Sequence, residues 1–223
     1  MISKMRLSLD PPGLTLFDFD GTICRGDSIL PFLLHCIRSG AAPAAQLPRA
    51  ASAYLSGRFR GQSLRRVKET TLSFLKGMRV CDVEETGRAF LRSYLTRACL
   101  PEPLSVIQQM REHGWTTLIV TASPDCYMRV LPDFLPVSAV LATECETADG
   151  VYTGHVGENC KGEEKVRRVF RYLEAHKAAG AVRAAAGDSM SDLPMLRLAP
   201  TQLLVNPPRG LVRELPQAHV MRA

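Results

Sequence analysis

Asp18 and Asp20 stand two residues apart in the stretch LTLFDFDGTICRGD (residues 14–27), directly after the apolar residues Leu14, Leu16 and Phe17. Two carboxylates at the end of a buried strand repel each other and need a counter-cation. Gly21 frees the backbone to bend sharply behind them, and the Thr22 hydroxyl can pin that bend. A hard, oxygen-seeking cation such as Mg2+ suits the pair, with ligands at roughly 2.0–2.1 Å. One carboxylate is then free to attack a phosphorus. Other groups complete such chemistry. Thr121 in VTAS offers a hydroxyl to a phosphoryl oxygen, and Ser123 closes the same run. Lys161 in NCKGEEK precedes a helix, where an ammonium neutralises developing charge; Lys165 is the alternative lysine. Asp188 and Asp192 in GDSMSD stand four apart around a strand-to-helix turn. One can complete a metal shell and the other can orient metal-bound water or Lys161. Each feature also has an ordinary reading: an acidic turn, a strand-end threonine, a solvated lysine, a helix cap. Four of them in this order at successive strand ends argue for a site.

The elements that position these groups alternate. The first strand ends at Asp18. Residues 28–100 carry helical periodicity and almost no strand signal, with stops at Ser39-Gly40 and Gly77 and with Asp82 as an expected N-cap. Helix 102–114, strand 115–123, a helix opened by Pro124 and strand 137–143 follow. Asp149-Gly150 signals a hairpin. A helix at 162–180, a strand at 181–188, a short helix and a strand at 201–208 complete the pattern. Strands separated by helices imply an α/β fold with a parallel sheet and helices on both faces, whose ligands bind beyond the carboxyl ends of the strands.

Composition narrows the class. The chain has 223 residues, 46% of them hydrophobic, enough for one larger domain or a core with a small insert. No apolar stretch approaches the roughly 20 residues of a membrane span. The N-terminal residues do not read as a signal peptide. The seven cysteines are scattered, odd in number and without a CxxC pair. That argues against a disulfide framework or structural zinc and for a reducing, cytoplasmic setting. The net charge of +6 is uneven: residues 25–100 hold 13 Lys and Arg against 5 Asp and Glu, a balance of +8. RFRGQSLRRVK (58–68) is the densest part, with neither aromatic interleaving nor a groove-reading motif, so no nucleic-acid partner is expected.

The motifs DFDGT, VTAS, CKGE and GDSMSD, in this order, resemble those of haloacid dehalogenase (HAD) superfamily phosphatases. The helical stretch resembles the C1-type cap of subfamily IB, which includes phosphoserine phosphatase. The resemblance runs from about Leu14 to Asn206. It implies a Rossmann-like three-layer core of residues 1–24 and 101–223, with a helical bundle cap at 25–100 inserted after the first strand. It implies Asp18 as the nucleophile that forms an aspartyl-phosphate and Asp20 as the general acid and base. Mg2+ is implied between the Asp18 carboxylate, the Asp20 backbone carbonyl and Asp188, with Thr121 and Lys161 on the phosphoryl oxygens.

The implied substrate is a small phosphorylated metabolite or a phospholipid headgroup. A phosphotransferase using the same residues, phosphoserine phosphatase itself and a silent phospho-ligand binder are the competing readings. The acid expected to meet a phosphoserine amine falls on Asp27, one methylene short of the usual glutamate. The matching arginine falls on Val67, with Arg65 and Arg66 nearby. Together with the basic balance of 25–100, this points to a more acidic substrate than phosphoserine, with Arg58, Arg60, Arg65 and Arg66 tuning its affinity.

Overall fold

The computed structural model describes residues 12–60, 63–176 and 181–222, with the backbone alone at 56–60. Strand β1 (Leu14–Phe17) leads into helices α1 (Ile29–Arg38), α2 (Gln46–Arg60), α3 (Leu64–Thr71) and α4 (Val80–Ala98). Helix α5 (Pro101–Glu112), strand β2 (Thr116–Pro124), helix α6 (Asp125–Met128) and strand β3 (Ala139–Thr143) follow. A hairpin of β4 (Cys145–Ala148) and β5 (Val151–Val156) precedes α7 (Glu163–Ala175), β6 (Val182–Gly187) and α8 (Leu193–Leu196). Strand β7 (Thr201–Val205), α9 (Arg209–Glu214) and β8 (His219–Met221) end the chain's described part.

Six strands form one sheet in the order β3-β2-β1-β6-β7-β8, with every neighbour parallel. All four residues of β1 are buried. A central strand covered on both faces reads as a near-continuous apolar run, and LTLF does apart from the buried Thr15. The order reverses between β1 and β2 on one side and β6 on the other. That reversal opens a crevice beyond the carboxyl ends of β1 and β6, where Asp18 and Asp188 emerge.

One buried cluster joins one sheet face to the helices of 25–100: Phe17, Phe19 and Ile119 pack with Phe32, Leu33, Phe90 and Leu91. The Phe32 ring lies 4.5 Å from Tyr127 and 5.4 Å from Phe90. The four helices therefore do not close a core of their own. A second cluster, with Leu16, Val120, Val169, Ala185 and Leu204, covers the other face.

The sequence expectations differ from the structure at four elements. Asp82 lies in the first turn of α4, whose N-cap is Arg79; Val80 N–H is taken by Gly150 O at 2.9 Å, so the hairpin fixes where the helix starts. The helix opened by Pro124 is one short turn, followed by a 3-10 turn at Leu131–Asp133 that Pro132 favours. Helix α9 and strand β8 lie beyond the last element expected. Among the described residues, no helix is long and apolar enough to cross a membrane. The side chains of Arg58 and Arg60 lie outside the described residues.

Candidate active site

Asp18, at the end of β1, is buried and accepts a hydrogen bond from Lys165 Nζ at 2.6 Å. The same ammonium reaches Asp192 Oδ1 at 2.6 Å. Lys165 is 1% exposed, so both ion pairs are shielded from water. Burial disfavours the lysine's charge, but Asp18 and Asp192 more than offset this and lift its pKa above the ordinary value. The other oxygen of Asp192 is held by the N–H of Ser189 at 3.0 Å and its hydroxyl at 2.8 Å. Asp192 thus aims Lys165 and is itself locked by the turn that follows β6.

Gly21 turns the chain at a φ of +82°, in the left-handed region that other residues enter only at a cost. Its missing side chain also matters, because a Cβ there would lie 2.6 Å from Asp188 Cγ. The glycine lets the Asp188 carboxylate approach the loop beside Asp18. Thr22 Oγ1 stands 3.4 Å from both Asp18 Oδ2 and Asp188 Oδ1 and bridges the two acids. At Gly187 a Cβ would come 2.7 Å from Asp192 Cβ, so β6 must end in glycine for Asp192 to fit.

Asp20 lines the same cleft but is held by a different set of groups. Its carboxylate accepts the Ser28 N–H at 2.9 Å and the Ser123 hydroxyl. Ser28 Oγ in turn meets Ser123 Oγ at 3.0 Å and Tyr127 OH at 2.8 Å. A buried hydroxyl network therefore holds this carboxyl in one position. Burial and the charge of Asp27 raise the Asp20 pKa to about 7, against the Ser123 hydrogen bond. A carboxyl tuned this way keeps its proton near neutrality and can deliver it. Burial raises Asp18 to about 6, with Lys165 opposing. Burial, then the charges of Asp18 and Asp192, raise Asp188 to about 7.

Oxygens of Asp18, Asp188 and Asp192 lie within 4.8 Å of one another. Among the described residues, three carboxylates face one ammonium, so the group carries excess negative charge that a divalent cation offsets. The donors are all oxygen, with neither imidazole nor thiolate, which suits Mg2+ rather than zinc or copper. Both oxygens of Asp192 serve Lys165 and Ser189, and those of Asp18 accept from Lys165 and Thr22. These residues fit the ion that the sequence implied.

These groups line a cleft of about 740 Å3 together with Thr121, Asp27, Arg25, Leu100 and Lys161. Thr121 is buried and accepts the Ser123 N–H at 3.0 Å, a bond that does not consume its hydroxyl hydrogen. The sequence-derived residues Asp18, Asp20, Thr121, Asp188 and Asp192 thus converge.

The lysine expectation needs correction. Lys161 is exposed at the rim, whereas Lys165, one helical turn on, contacts Asp18. The turn at Gly162 starts α7, whose first turn carries Lys165 inward; spacing before Gly-Glu did not reveal this.

Arg65 and Arg66 are also not brought to the cleft. Both are exposed, and Arg65 pairs with Glu69 at 3.3 Å. Asp27 lines the cleft and accepts the Ile29 N–H at 2.9 Å, at the first residue of α1.

Sequence reasoning missed Lys68. From α3 its ammonium reaches Ala122 O, Asn159 Oδ1 and, at 3.2 Å, Thr143 Oγ1. Burial lowers its pKa to about 8, although Asp27 and Asp20 oppose this. The one signal was its place beside the apolar positions 64, 67, 72 and 75. Ser28 and Tyr127, which support Asp20, carry no motif.

The parallel sheet, the reversal beneath the carboxylates and the D-x-D loop define a hydrolase of one class: the chain belongs to the haloacid dehalogenase-like hydrolase family, whose model matches residues 15–197. Within that class it is similar to Protein CicA of Caulobacter vibrioides, 32% identical over 194 residues that span 84% of this chain and 83% of CicA. It is 26% identical over 222 residues to Phosphoserine phosphatase SerB1 of Mycobacterium tuberculosis, across 92% of this chain and 70% of SerB1. In fold it matches a solved protein of unknown function from Bordetella pertussis Tohama I, with a TM-score of 0.82 and 24% identity, covering 94% of this chain and 98% of that one.

Proposed function

We propose that the protein is a Mg2+-dependent phosphomonoesterase that works through an aspartyl-phosphate on Asp18. The observation that carries this reading is the buried contact of Asp18 with Lys165 at 2.6 Å, two residues before a carboxyl held near pKa 7. Lys165 keeps Asp18 ionised and ready to attack phosphorus. As the ester bond breaks, Asp20 gives its proton to the leaving oxygen. The resulting Asp20 carboxylate then takes a proton from the water that attacks the aspartyl-phosphate. Lys165 and the Thr121 hydroxyl stabilise the phosphoryl oxygens, and Asp192 keeps the lysine aimed. Asp18, Asp188 and the Asp20 backbone carbonyl would hold the ion, which when bound supplies charge neutralisation at the phosphoryl group. Positioning and electrostatics supply most of phosphoryl-transfer catalysis, and these residues provide both.

Residues 25–100 act as a cap that contributes Arg25 and Asp27 to the cleft. The name of SerB1 and the sequence resemblance support a small phosphorylated substrate. Arg25 and Lys161 at the cleft lining favour one more acidic than phosphoserine. Seven free cysteines support a reducing, cytoplasmic setting. The test is a panel of phosphomonoesters with Mg2+, with and without acceptor alcohols, set against Asp18→Asn. Phosphate release that needs Mg2+ and Asp18 supports the reading. Release that survives chelator or the substitution contradicts it, and phosphate passed mainly to the alcohol makes the protein a transferase.

A further inference from the structure

The chain passes between the sheet and helices α1–α4 twice, at residues 23–25 and 98–100. These passages run antiparallel: Arg25 N–H meets Ala98 O at 2.8 Å and Leu100 N–H meets Ile23 O at 2.8 Å. That pattern places Cys24 opposite Cys99 as a pair that exchanges no backbone hydrogen bonds of its own. In such pairs the Cα atoms approach to about 4.5 Å, inside the disulfide window of about 4.4–6.8 Å. The two sulfurs are 3.2 Å apart. Cys24 is buried and Cys99 is half-buried, so one member can meet a small solute. The residues that follow them, Arg25 and Leu100, line the cleft. Cys24 O accepts the Gly21 N–H at 2.7 Å, which ties this neck to the loop that presents Asp18 and Asp20.

We propose that Cys24 and Cys99 are an oxidation site, closed to a reversible disulfide by hydrogen peroxide, that clamps the neck of the cleft and slows turnover. The Cys99 sulfur attacks one peroxide oxygen. The O–O bond breaks, hydroxide leaves, and Cys99 becomes a sulfenic acid. Cys24 gives up its proton and attacks the Cys99 sulfur, the S–O bond breaks, and the second hydroxide leaves. With the two thiol protons the balance is two thiols and one peroxide giving one disulfide and two waters. Electrostatics agrees with these roles: the Cys24 hydrogen bond lowers the Cys99 pKa, while that bond and burial raise Cys24. Cys126 also neighbours Cys145, but both are buried with no exposed member.

The turnover effect rests on the phosphatase reading, whereas the bond itself does not, so two readouts separate them. The intact protein is treated with hydrogen peroxide, blocked with a thiol alkylator, and mapped by peptide mass spectrometry. A loss of two hydrogens in a peptide pair joining Cys24 to Cys99, reversed by dithiothreitol, supports the site. Absence of that pair, or a Cys126–Cys145 link in its place, overturns it. Phosphomonoester turnover should fall roughly threefold or more on oxidation and recover on reduction, because opening and product release limit many such enzymes. Cys99→Ser and Cys24→Ala, each folded by circular dichroism, should keep the reduced rate and lose the peroxide response. A response that persists in both variants contradicts the clamp. Linked protein with unchanged turnover refutes the slowing while the mapped bond still stands.

Discussion

Replacing Lys165 with methionine removes the ammonium that faces Asp18 and Asp192 at 2.6 Å each. The site is 1% exposed at the lysine, so water cannot replace the lost charge. Breaking a buried pair by deleting one partner costs roughly 3–5 kcal/mol, because the surviving carboxylates stay buried and unpaired. Part of that cost is relieved by protonation, since Asp18 already has a pKa of about 6 in the cation-free protein. The loss of stability should therefore shrink as pH falls towards 5. Turnover should fall as well, as losing one donor to a developing oxyanion costs on the order of 10²–10³ in kcat. Lys161→Met is the control. Lys161 is exposed, so the change should alter stability by less than about 0.5 kcal/mol. Its rate should fall only a few-fold. Urea unfolding at pH 5.5 and 7.5, with kcat and KM on para-nitrophenyl phosphate and Mg2+, measures all four quantities. If Lys161→Met loses more activity than Lys165→Met, the assignment of the lysine is wrong.

Three further outcomes follow from the same geometry. Gly187→Ala should cut activity while leaving most secondary structure intact, because its Cβ would sit 2.7 Å from Asp192 Cβ and push away the carboxylate that aims Lys165; circular dichroism beside kcat reads both. Asp20→Asn should lower kcat/KM for alkyl phosphates by about 10²–10⁴ and less for para-nitrophenyl phosphate, whose leaving group needs no proton; equal losses on both would count against Asp20 as the acid. Asp20 and Asp188 have pKa values of about 7 in the folded protein against 3.8 for an ordinary aspartate, so between those values the folded state binds more protons than the unfolded one. Cation-free protein should thus gain Tm as pH falls from 8 towards 5. Mg2+ should flatten that trend by favouring ionised Asp188, and Asp20→Asn should weaken it; a Tm that falls throughout would contradict the linkage.

The carboxylates were legible in the sequence because strand, turn and chemistry coincide there. An apolar run, D-x-D and Gly21 fix the loop within a few residues. Asp188 and Asp192 were legible for the same reason. The lysine was not, because its direction depends on where α7 begins, and the choice between positions 161 and 165 is a rotation of one helical turn. Lys68 was hidden in a basic stretch that reads as a solvated face, since only tertiary packing shows which ammonium is buried. The alternation of strands and helices gave the parallel sheet. The short last strand, His219–Met221, escaped because three residues carry no periodicity. The start of α4 escaped because the hairpin, far away in sequence, sets it.

The central claim is that phosphate passes through Asp18, and trapping that intermediate tests it most directly. A phosphomonoester turned over with Mg2+ and quenched in acid should leave one phosphoryl group on the peptide carrying Asp18, released by hydroxylamine and absent from Asp18→Asn. Phosphate on another residue, or full turnover by Asp18→Asn, would contradict the account.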